Sequence, residues 1–381
     1  MVKQSVVALV FGALSAAAFA NEKVLHTVSF ESGRIQENSE FLDAGFIQTL
    51  PNPQIGDEAI KTGKGGCGPD SNCDMRVVRS EFVAGQTVKP RAGEYFLRMQ
   101  LDKKKDYTGL NVGLSKPRTS LNFGNDVYRF DHDVEEWIGF SVFLPNDYEH
   151  ETENVGLILS EITTDSSAQF LKLLVGSRNG DKESHWYFNY RTSNSSVTNG
   201  NETVVDLGSI EPDKGKWTDF VLRVRSNPFS VDTNPAASGI RNAKDRMYKG
   251  NKGIIQVWKA AGPVMDKMGN RKMVNKIDEV NKPVGLVPGA TQGESKIAHS
   301  IRAYKPGWQG HNNASTSVVG PIWIAWDEVR FGEAARHGTG YEDVHPTGAA
   351  CTDRCPEGSA TPRPVVALPA APGDVIGEVT Q

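Results

Sequence analysis

Between residues 24 and 331 the chain consists of short β-branched and aromatic segments, and no helical pattern separates them. Clusters of Gly, Pro, Asn and Asp lie between the segments, and these residues favour turns. Many short strands without alternating helices are typical of an antiparallel sandwich or jelly roll. The predicted strands are 24–30, 95–101, 137–144, 157–162, 170–175, 186–191, 220–225, 254–259, 301–304 and 322–331. Residues 263–288, with a Lys-rich middle, are predicted to form a long loop.

The N-terminus carries the pattern of a secretory signal peptide. Lys3 precedes an apolar run over residues 6–19, and Ala18-Phe19-Ala20 has the small-x-small form of a cleavage site. The run is too short for a membrane span, and no other stretch is long and apolar enough for one. The sequence therefore predicts a signal peptide at 1–20 and an exported protein without a membrane partner. A buried N-terminal helix is the alternative.

Charge and composition restrict the partners and the domain organisation. A formal net charge of −4 over 381 residues argues against nucleic acid, and a polyanionic ligand would need a local basic cleft. Residues 21–337 are predicted to form one β domain, and 338–381, rich in Pro, Ala and Gly, a loosely ordered tail. We expect a monomer without an organic cofactor.

The four cysteines fall into two close pairs, Cys67/Cys73 and Cys351/Cys355. In an exported chain, two local disulfides are the simplest interpretation. One disulfide between the two segments is an alternative. A zinc site of four thiolates is another, although the spacings fit zinc motifs poorly and no His accompanies them.

Several predicted strands have one apolar face and one polar, cationic face, because successive side chains of a strand point to opposite sides. In 185–191 the apolar face consists of Trp186, Phe188 and Tyr190, and the other face of His185, Tyr187, Asn189 and Arg191. Arg302 and Tyr304, followed by Lys305, alternate with apolar residues in the same way, as does Arg98 in an earlier strand. These strands are predicted to form a sheet whose outer side binds an anionic sugar. An ordinary exposed strand face is the alternative.

Residues 136–148 resemble the W-x-G-F-S-x-x-L-P-x-D-Y segment of the heparin lyase I and glucuronan lyase group. Other segments of that group are matched in the expected order over about residues 28–332. They are Phe30-Glu31-Ser32-Gly33, Lys116-Pro117-Arg118, the G-x-W-x-D segment at 215–219, the G-x-I-x-V-W segment at 253–258, the late Tyr segment at 301–305, and the closing segment at 326–329.

The resemblance implies a concanavalin A-like β-jelly roll that cleaves a uronic acid-containing polysaccharide by β-elimination. In this reaction a cation or amide neutralises the carboxylate, a base removes the C5 proton, and an acid protonates the leaving C4 oxygen. Arg118 matches the substrate-cleft Arg of the group and would bind the carboxylate. Tyr304 matches the late-strand Tyr and is the leading acid/base candidate, which Arg302 or Lys305 could keep ionised.

The chain departs from the heparin lyase I pattern in the strand at 157–162, which lacks the catalytic His. Either His185 or His132 replaces it, or Tyr304 works without a His, or the protein has the fold without the activity. Glu161 is an unfavourable replacement, because a carboxylate repels an anionic sugar unless it is protonated or binds a metal.

Glu31 and Asp327 come from the opening and closing strands, which are neighbours in such jelly rolls. Related sandwiches hold a structural Ca²⁺ there, bound by carboxylate and carbonyl oxygens, and this is the one cofactor that we predict. Two exposed carboxylates are the alternative.

Two other function classes share the predicted fold. A lectin-like carbohydrate-binding protein would bind sugars on aromatic platforms without a basic cluster. A glycoside hydrolase needs paired carboxylates in the pattern E-x-D-x-x-E, which does not occur in this sequence.

Overall fold

The computed structural model describes residues 26–28, 30, 47–49, 73–101, 118–123, 134–150, 156–164, 169–178, 182–191, 202–226, 253–265, 271–282, 284, 297–305, 321–334 and 338–356. In chain order, the strands of these residues are β1 (His26–Val28), β2 (Ile47–Thr49), β3 (Cys73–Val78), β4 (Glu81–Val83), β5 (Gln86–Val88), β6 (Phe96–Leu101), β7 (Arg118–Phe123), β8 (Glu135–Phe143), β9 (Leu157–Thr164), β10 (Gln169–Gly176), β11 (His185–Arg191), β12 (Glu202–Ser209), β13 (Trp217–Arg225), β14 (Gly253–Met265), β15 (Arg271–Lys282), β16 (Ile297–Tyr304) and β17 (Ile322–Glu333).

The strands form two large antiparallel sheets and one small hairpin. An eight-stranded sheet has the order β15-β14-β13-β8-β17-β6-β3, with β1 also paired to β17. A seven-stranded sheet has the order β12-β11-β10-β9-β16-β7-β2, and β4 pairs with β5. The predicted all-β, concanavalin A-like jelly roll of two antiparallel sheets is confirmed.

The core lies between the two sheets and follows the alternation of the strands. The seven-stranded sheet contributes residues such as Trp186, Phe188, Leu173 and Ile301, all at most 1% exposed. Phe140 and Phe220 of the eight-stranded sheet stack on each other, with ring centroids 5.5 Å apart. Burying side chains of this size stabilises the fold by about 1.5–3 kcal/mol each.

A buried ion cluster fixes one end of the sandwich. Asp213, in a short 3₁₀ helix (Glu211–Asp213), is fully buried and accepts hydrogen bonds from Trp186 Nε1 at 2.7 Å and Lys259 Nζ at 2.6 Å. Arg271 completes the cluster with an ion pair to Asp213. The arrangement connects β11, β14 and β15, and so ties the edge of the eight-stranded sheet to the other sheet.

The segment 338–356 packs on the outer surface of the eight-stranded sheet. It contains the helix α1 (Tyr341–Val344) and a disulfide between Cys351 and Cys355. Tyr341 is fully buried against Trp258, with ring centroids 5.4 Å apart. Residues 338–356 of the predicted tail therefore bury apolar side chains, although their composition is that of a loose tail.

The glycine of the W-x-G-F-S segment has a packing role beneath this segment. A Cβ on Gly139 would lie 1.8 Å from the backbone oxygen of Val344. That distance is far below any allowed contact, so the close approach of α1 requires glycine at this position of β8.

All ten predicted strands are present, with ends that shift by a few residues. The predicted loop at 263–288 is partly wrong, because residues 271–282 form β15, with Arg271, Met273 and Asn275 buried on one face. The local disulfide Cys351–Cys355 is confirmed. Cys67 and the signal peptide at 1–20 lie outside the described residues. No helix within the described ranges combines the length and the apolar character that crossing a membrane requires.

Candidate active site

The candidate site lies on the face of the seven-stranded sheet that points away from the core, which we call the outward face. Trp186, Phe188 and Tyr190 of β11 point into the core. Tyr187 and Asn189 therefore lie on the outward face, as the sequence predicts. The same alternation places Arg302 and Tyr304 of β16 there, between the inward Ile301 and Ala303.

One row of register partners crosses the outward face, and we call it the aromatic row. Tyr187 on β11 pairs with Leu174 on β10, which pairs in turn with Ile158 on β9. Ile158 is the register partner of Tyr304 on β16, and Tyr304 pairs with Arg118 on β7. The first four side chains of the row form one apolar cluster and are 4–7% exposed; they are Tyr187, Leu174, Ile158 and Tyr304. Of Arg118, the structure describes the backbone alone.

A second row runs beside the first, and we call it the polar row. Asn189 on β11 pairs with Lys172 on β10, and Lys172 pairs with Glu161 on β9. Glu161 pairs with Ser300 on β16. Lys172 and Glu161 therefore belong to the candidate site, although no sequence pattern predicts Lys172 and a carboxylate at Glu161 is expected to repel an anionic sugar.

Arg302 is held in place by two neighbours. Its guanidinium forms an ion pair with the fully buried carboxylate of Glu161, and Nη2 donates a hydrogen bond to Ser300 Oγ at 2.6 Å. Since Arg302 is itself 4% exposed, the pair is shielded from water. The positive charge of Arg302 makes a carboxylate acceptable at this position of the face.

Glu202 of the edge strand β12 forms a second ion pair on this face. Its Oε1 lies 3.0 Å from Lys172 Nζ and accepts a hydrogen bond from Asn189 Nδ2 at 2.9 Å. Arg191 is its register partner across the β11–β12 pair. Burial raises the pKa of Glu202, but the hydrogen bond and charge of Lys172, with smaller effects of Asn189 and Arg191, leave that pKa below its ordinary value.

His185 lies at the β11 end of the aromatic row, where its ring stacks on Tyr187 with centroids 6.0 Å apart. Its Nδ1 is 2.8 Å from Asp206 Oδ2, and Nε2 is 3.6 Å from Glu183 Oε1. The guanidinium carbon of Arg178 lies 5.1 Å from the centre of the Tyr187 ring. Asp206 thus orients the imidazole of His185. The His185 ring and the Arg178 guanidinium hold the Tyr187 ring in place.

His299, which no sequence pattern predicts as a site residue, lies on the opposite side of β16 inside the core. Its Nε2 is 2.9 Å from Ser160 Oγ, and its ring stacks on Phe140. Burial, with a smaller effect of the Arg302 charge, lowers the pKa of His299 to about 3. It is therefore a neutral core residue and not a second base on the outward face.

Arg98 is not part of the outward face. β6 belongs to the eight-stranded sheet, where Arg98 Nε lies 3.4 Å from Glu81 Oε1 and Nη2 bonds Gln100. The prediction that Arg98 shares a binding surface with Tyr304 is wrong, because alternation assigns a residue to a face of its strand but does not tell which sheet the strand joins.

Lys305 follows β16 and is fully buried. His132 and Glu31 lie outside the described residues.

Asp327 is buried in β17, and its carboxylate accepts backbone hydrogen bonds from Arg91, Ala92 and Glu328 at 2.7–3.2 Å. Burial, followed by the charge of Glu328, raises the pKa of Asp327 to about 8. The three backbone hydrogen bonds lower the pKa of Asp327 but do not outweigh burial. Within the described ranges no group of three or more His, Cys, Asp or Glu side chains could hold a metal. The Ca²⁺ site stays a prediction, since Glu31 lies outside the described residues.

Comparison with known proteins identifies the family of the chain. The model of the family described as "Polysaccharide lyase" matches residues 74–294, more than half of the chain. The chain is similar to the endo-β-1,4-glucuronan lyase of the fungus Trichoderma reesei, with 14% identity, a TM-score of 0.47, and 74% of this chain and 92% of that chain covered. It is also similar to an alginate lyase from Klebsiella pneumoniae, with 9% identity, a TM-score of 0.36, and coverages of 65% and 84%. No curated protein matches the chain. From the extent of the family match, the chain belongs to the polysaccharide lyase family.

Proposed function

We propose that this polysaccharide lyase cleaves a uronic acid-containing polysaccharide by β-elimination on the outward face, with Tyr304 as acid and base. The observation that carries the proposal is the position of Tyr304 in the aromatic row. It is the register partner of Arg118 on one side, and Ile158 and Leu174 separate it from Tyr187 on the other. A phenol on a mostly buried floor can exchange protons with a bound sugar while water is largely excluded.

In the proposed reaction the phenolate oxygen of Tyr304 takes the C5 proton. The electron pair of the broken C5–H bond forms the C4–C5 double bond, and the C4–O bond breaks. Tyr304 then returns its proton to the leaving oxygen, so the phenolate is restored for the next cycle. Arg118 would pair with the uronate carboxylate, which makes the C5 proton acidic by stabilising the negative charge that develops beside it.

His185 is the second acid/base candidate, and its position supports a role at the other end of the row. Three strand spacings, roughly 14 Å, separate β11 from β16 across the sheet. A sugar that reacts at Tyr304 therefore does not reach His185 directly. We assign His185 and Tyr187 to the binding of a more distant sugar, for which a stacked ring platform is suited.

Asn189, Arg191, Arg302 and Lys305 are proposed to line or support the same cleft. Arg302 acts through the polar row, because its charge is already paired with Glu161. The substrate class remains a uronate polymer such as glucuronan, ulvan, alginate or a heparin-like chain. We further propose that the protein is exported, acts as a monomer, and binds neither nucleic acid nor membrane.

The test is turnover of a panel of glucuronan, ulvan, alginate and heparin, measured by the ultraviolet absorbance of the unsaturated uronate product. Wild type is expected to cleave at least one polymer, and Tyr304→Phe to lower kcat by about 100-fold or more, the usual effect of losing an acid/base group. Tyr95→Phe is the matched control. It removes a phenol whose oxygen accepts a hydrogen bond from exposed Arg79, on a segment that leads into the eight-stranded sheet, and should leave kcat unchanged.

If the wild type cleaves none of the polymers, the uronate assignment is wrong. Full activity of Tyr304→Phe would refute the role of Tyr304 while leaving the substrate class intact.

A further inference from the structure

The side chains of Lys172 and Asn189 converge on a single carboxylate oxygen. Lys172 Nζ is 3.0 Å and Asn189 Nδ2 is 2.9 Å from Glu202 Oε1. An ammonium and an amide N–H₂ on one oxygen, with the guanidinium of Arg191 adding attraction, make a recognition site for a carboxylate. We call the two donors the carboxylate cradle.

The carboxylate in the cradle comes from the rim of the face. Glu202 begins the edge strand β12, and its side chain is 34% exposed, against 16% for Lys172. The donors thus lie deeper than the acceptor that they bind. A partly exposed ion pair of this kind contributes little to stability, so exchanging its carboxylate for another costs little.

We propose that the cradle of Lys172 and Asn189 is a second carboxylate subsite, and that Glu202 occupies it until a uronate carboxylate of the substrate replaces Glu202. This inference rests on the proposed function, because it requires an acidic polysaccharide. Glu202 then acts as an internal competitor that sets the affinity of the subsite and its preference for charged sugars.

The position of the cradle separates it from the reacting sugar. Lys172 is two residues along β10 from Leu174 of the aromatic row, and β10 is two strands, roughly 10 Å, from β16. A uronate bound there cannot be the one whose C5 proton Tyr304 removes. The cradle suits the carboxylate of another sugar in the same chain, on the side of Tyr187.

The experiment measures calorimetric binding of glucuronate and mannuronate hexasaccharides to the full chain carrying Tyr304→Phe, which is expected to slow turnover. Adding Glu202→Gln removes the competing charge and keeps an acceptor for Asn189, and binding of at least one hexasaccharide should tighten by about fivefold. Adding Lys172→Met should weaken binding by about tenfold or more. In the Lys172→Met background, Glu202→Gln should have no further effect.

Controls distinguish charge exchange from other causes. Lys214 and Glu211, 2.6 Å apart, also form a Lys–Glu pair, but this pair lies beyond β12, and Glu211→Gln should leave binding unchanged. The same hexasaccharides with their carboxyl groups reduced to alcohols should not respond to Glu202→Gln, since they carry no charge to exchange.

Weaker or unchanged binding of Glu202→Gln would overturn the proposal, because Glu202 would then position Lys172 and would not compete with the substrate. Binding of neither hexasaccharide to any variant would overturn it as well. Failure of the proposed function has a different signature, namely no turnover of the polymer panel, even where the binding changes occur as expected.

Discussion

Acid should destabilise this protein through His299, which is buried inside the sandwich. Its pKa is about 3 in the folded state against 6.5 for the free side chain, because burial and the nearby Arg302 disfavour the imidazolium. Between these values the unfolded chain binds a proton that the folded protein does not. The contribution of His299 to stability is therefore complete above pH 6.5 and is lost as the pH falls towards 3.

The magnitude follows from the two pKa values. Between pH 7 and pH 5 the free energy of unfolding should fall by about 2 kcal/mol from His299 alone, at about 1.4 kcal/mol per pH unit once the pH is below 6.5. The variant His299→Gln cannot take up the proton and keeps a polar partner for Ser160. Urea unfolding of both proteins at pH 7, 6 and 5, followed by tryptophan fluorescence, gives the difference directly.

Comparison with the variant is needed because Asp327 works in the opposite direction. Burial and Glu328 raise its pKa to about 8, so the folded protein keeps a proton that the unfolded chain releases above about pH 4. Its stabilising effect is lost as the pH rises through that range. Parallel stability curves for wild type and His299→Gln, with a constant difference from pH 7 to 5, would refute the reasoning about His299.

Two further predictions concern the polar row and the C-terminal segment. Glu161→Gln should lower the free energy of unfolding, measured in urea, by about 3 kcal/mol, because it leaves the buried charge of Arg302 unpaired. The double variant Glu161→Gln/Arg302→Gln should recover part of that loss. An unchanged urea midpoint of the single variant would contradict this prediction. The free energy of unfolding of a chain that ends at residue 337 should be about 5 kcal/mol lower than that of a chain that ends at 356. The shorter chain loses the burial of Tyr341 and Val344 and exposes Trp258 to water. Equal urea midpoints would show that residues 338–356 add nothing to stability.

The sequence predicts the outward face well where a strand alternates cleanly between apolar and polar residues. In β11 the rings of Trp186 and Phe188 require an inward face, and this assigns Tyr187 and Asn189 to the other. Pairing between strands is non-local and cannot be read from alternation, which explains the error with Arg98. The cross-strand contact between Lys172 and Glu202 was missed for the same reason.

Buried polar residues explain why the sequence pattern predicts a loop at 271–282, where the structure has a strand. Arg271 is buried because it reaches the carboxylate of Asp213, and the Asn275 backbone donates to Asp353 Oδ2 at 2.9 Å. Both partners are distant in sequence, so the pattern of this segment alone is that of a polar loop. The order of 338–356 was missed for a similar reason, since its apolar side chains are few but meet a surface of tryptophans.

The ion pairs Arg302–Glu161 and Lys172–Glu202 leave the middle of the outward face close to electroneutral. The formal net charge of −4 on the whole chain does not itself draw a polyanion in from a distance. We expect encounter with an acidic polymer to be slow and only weakly sensitive to ionic strength. Discrimination between charged and neutral sugars would then arise after contact. It would depend on how easily a sugar carboxylate replaces Glu161 at Arg302 or Glu202 at Lys172.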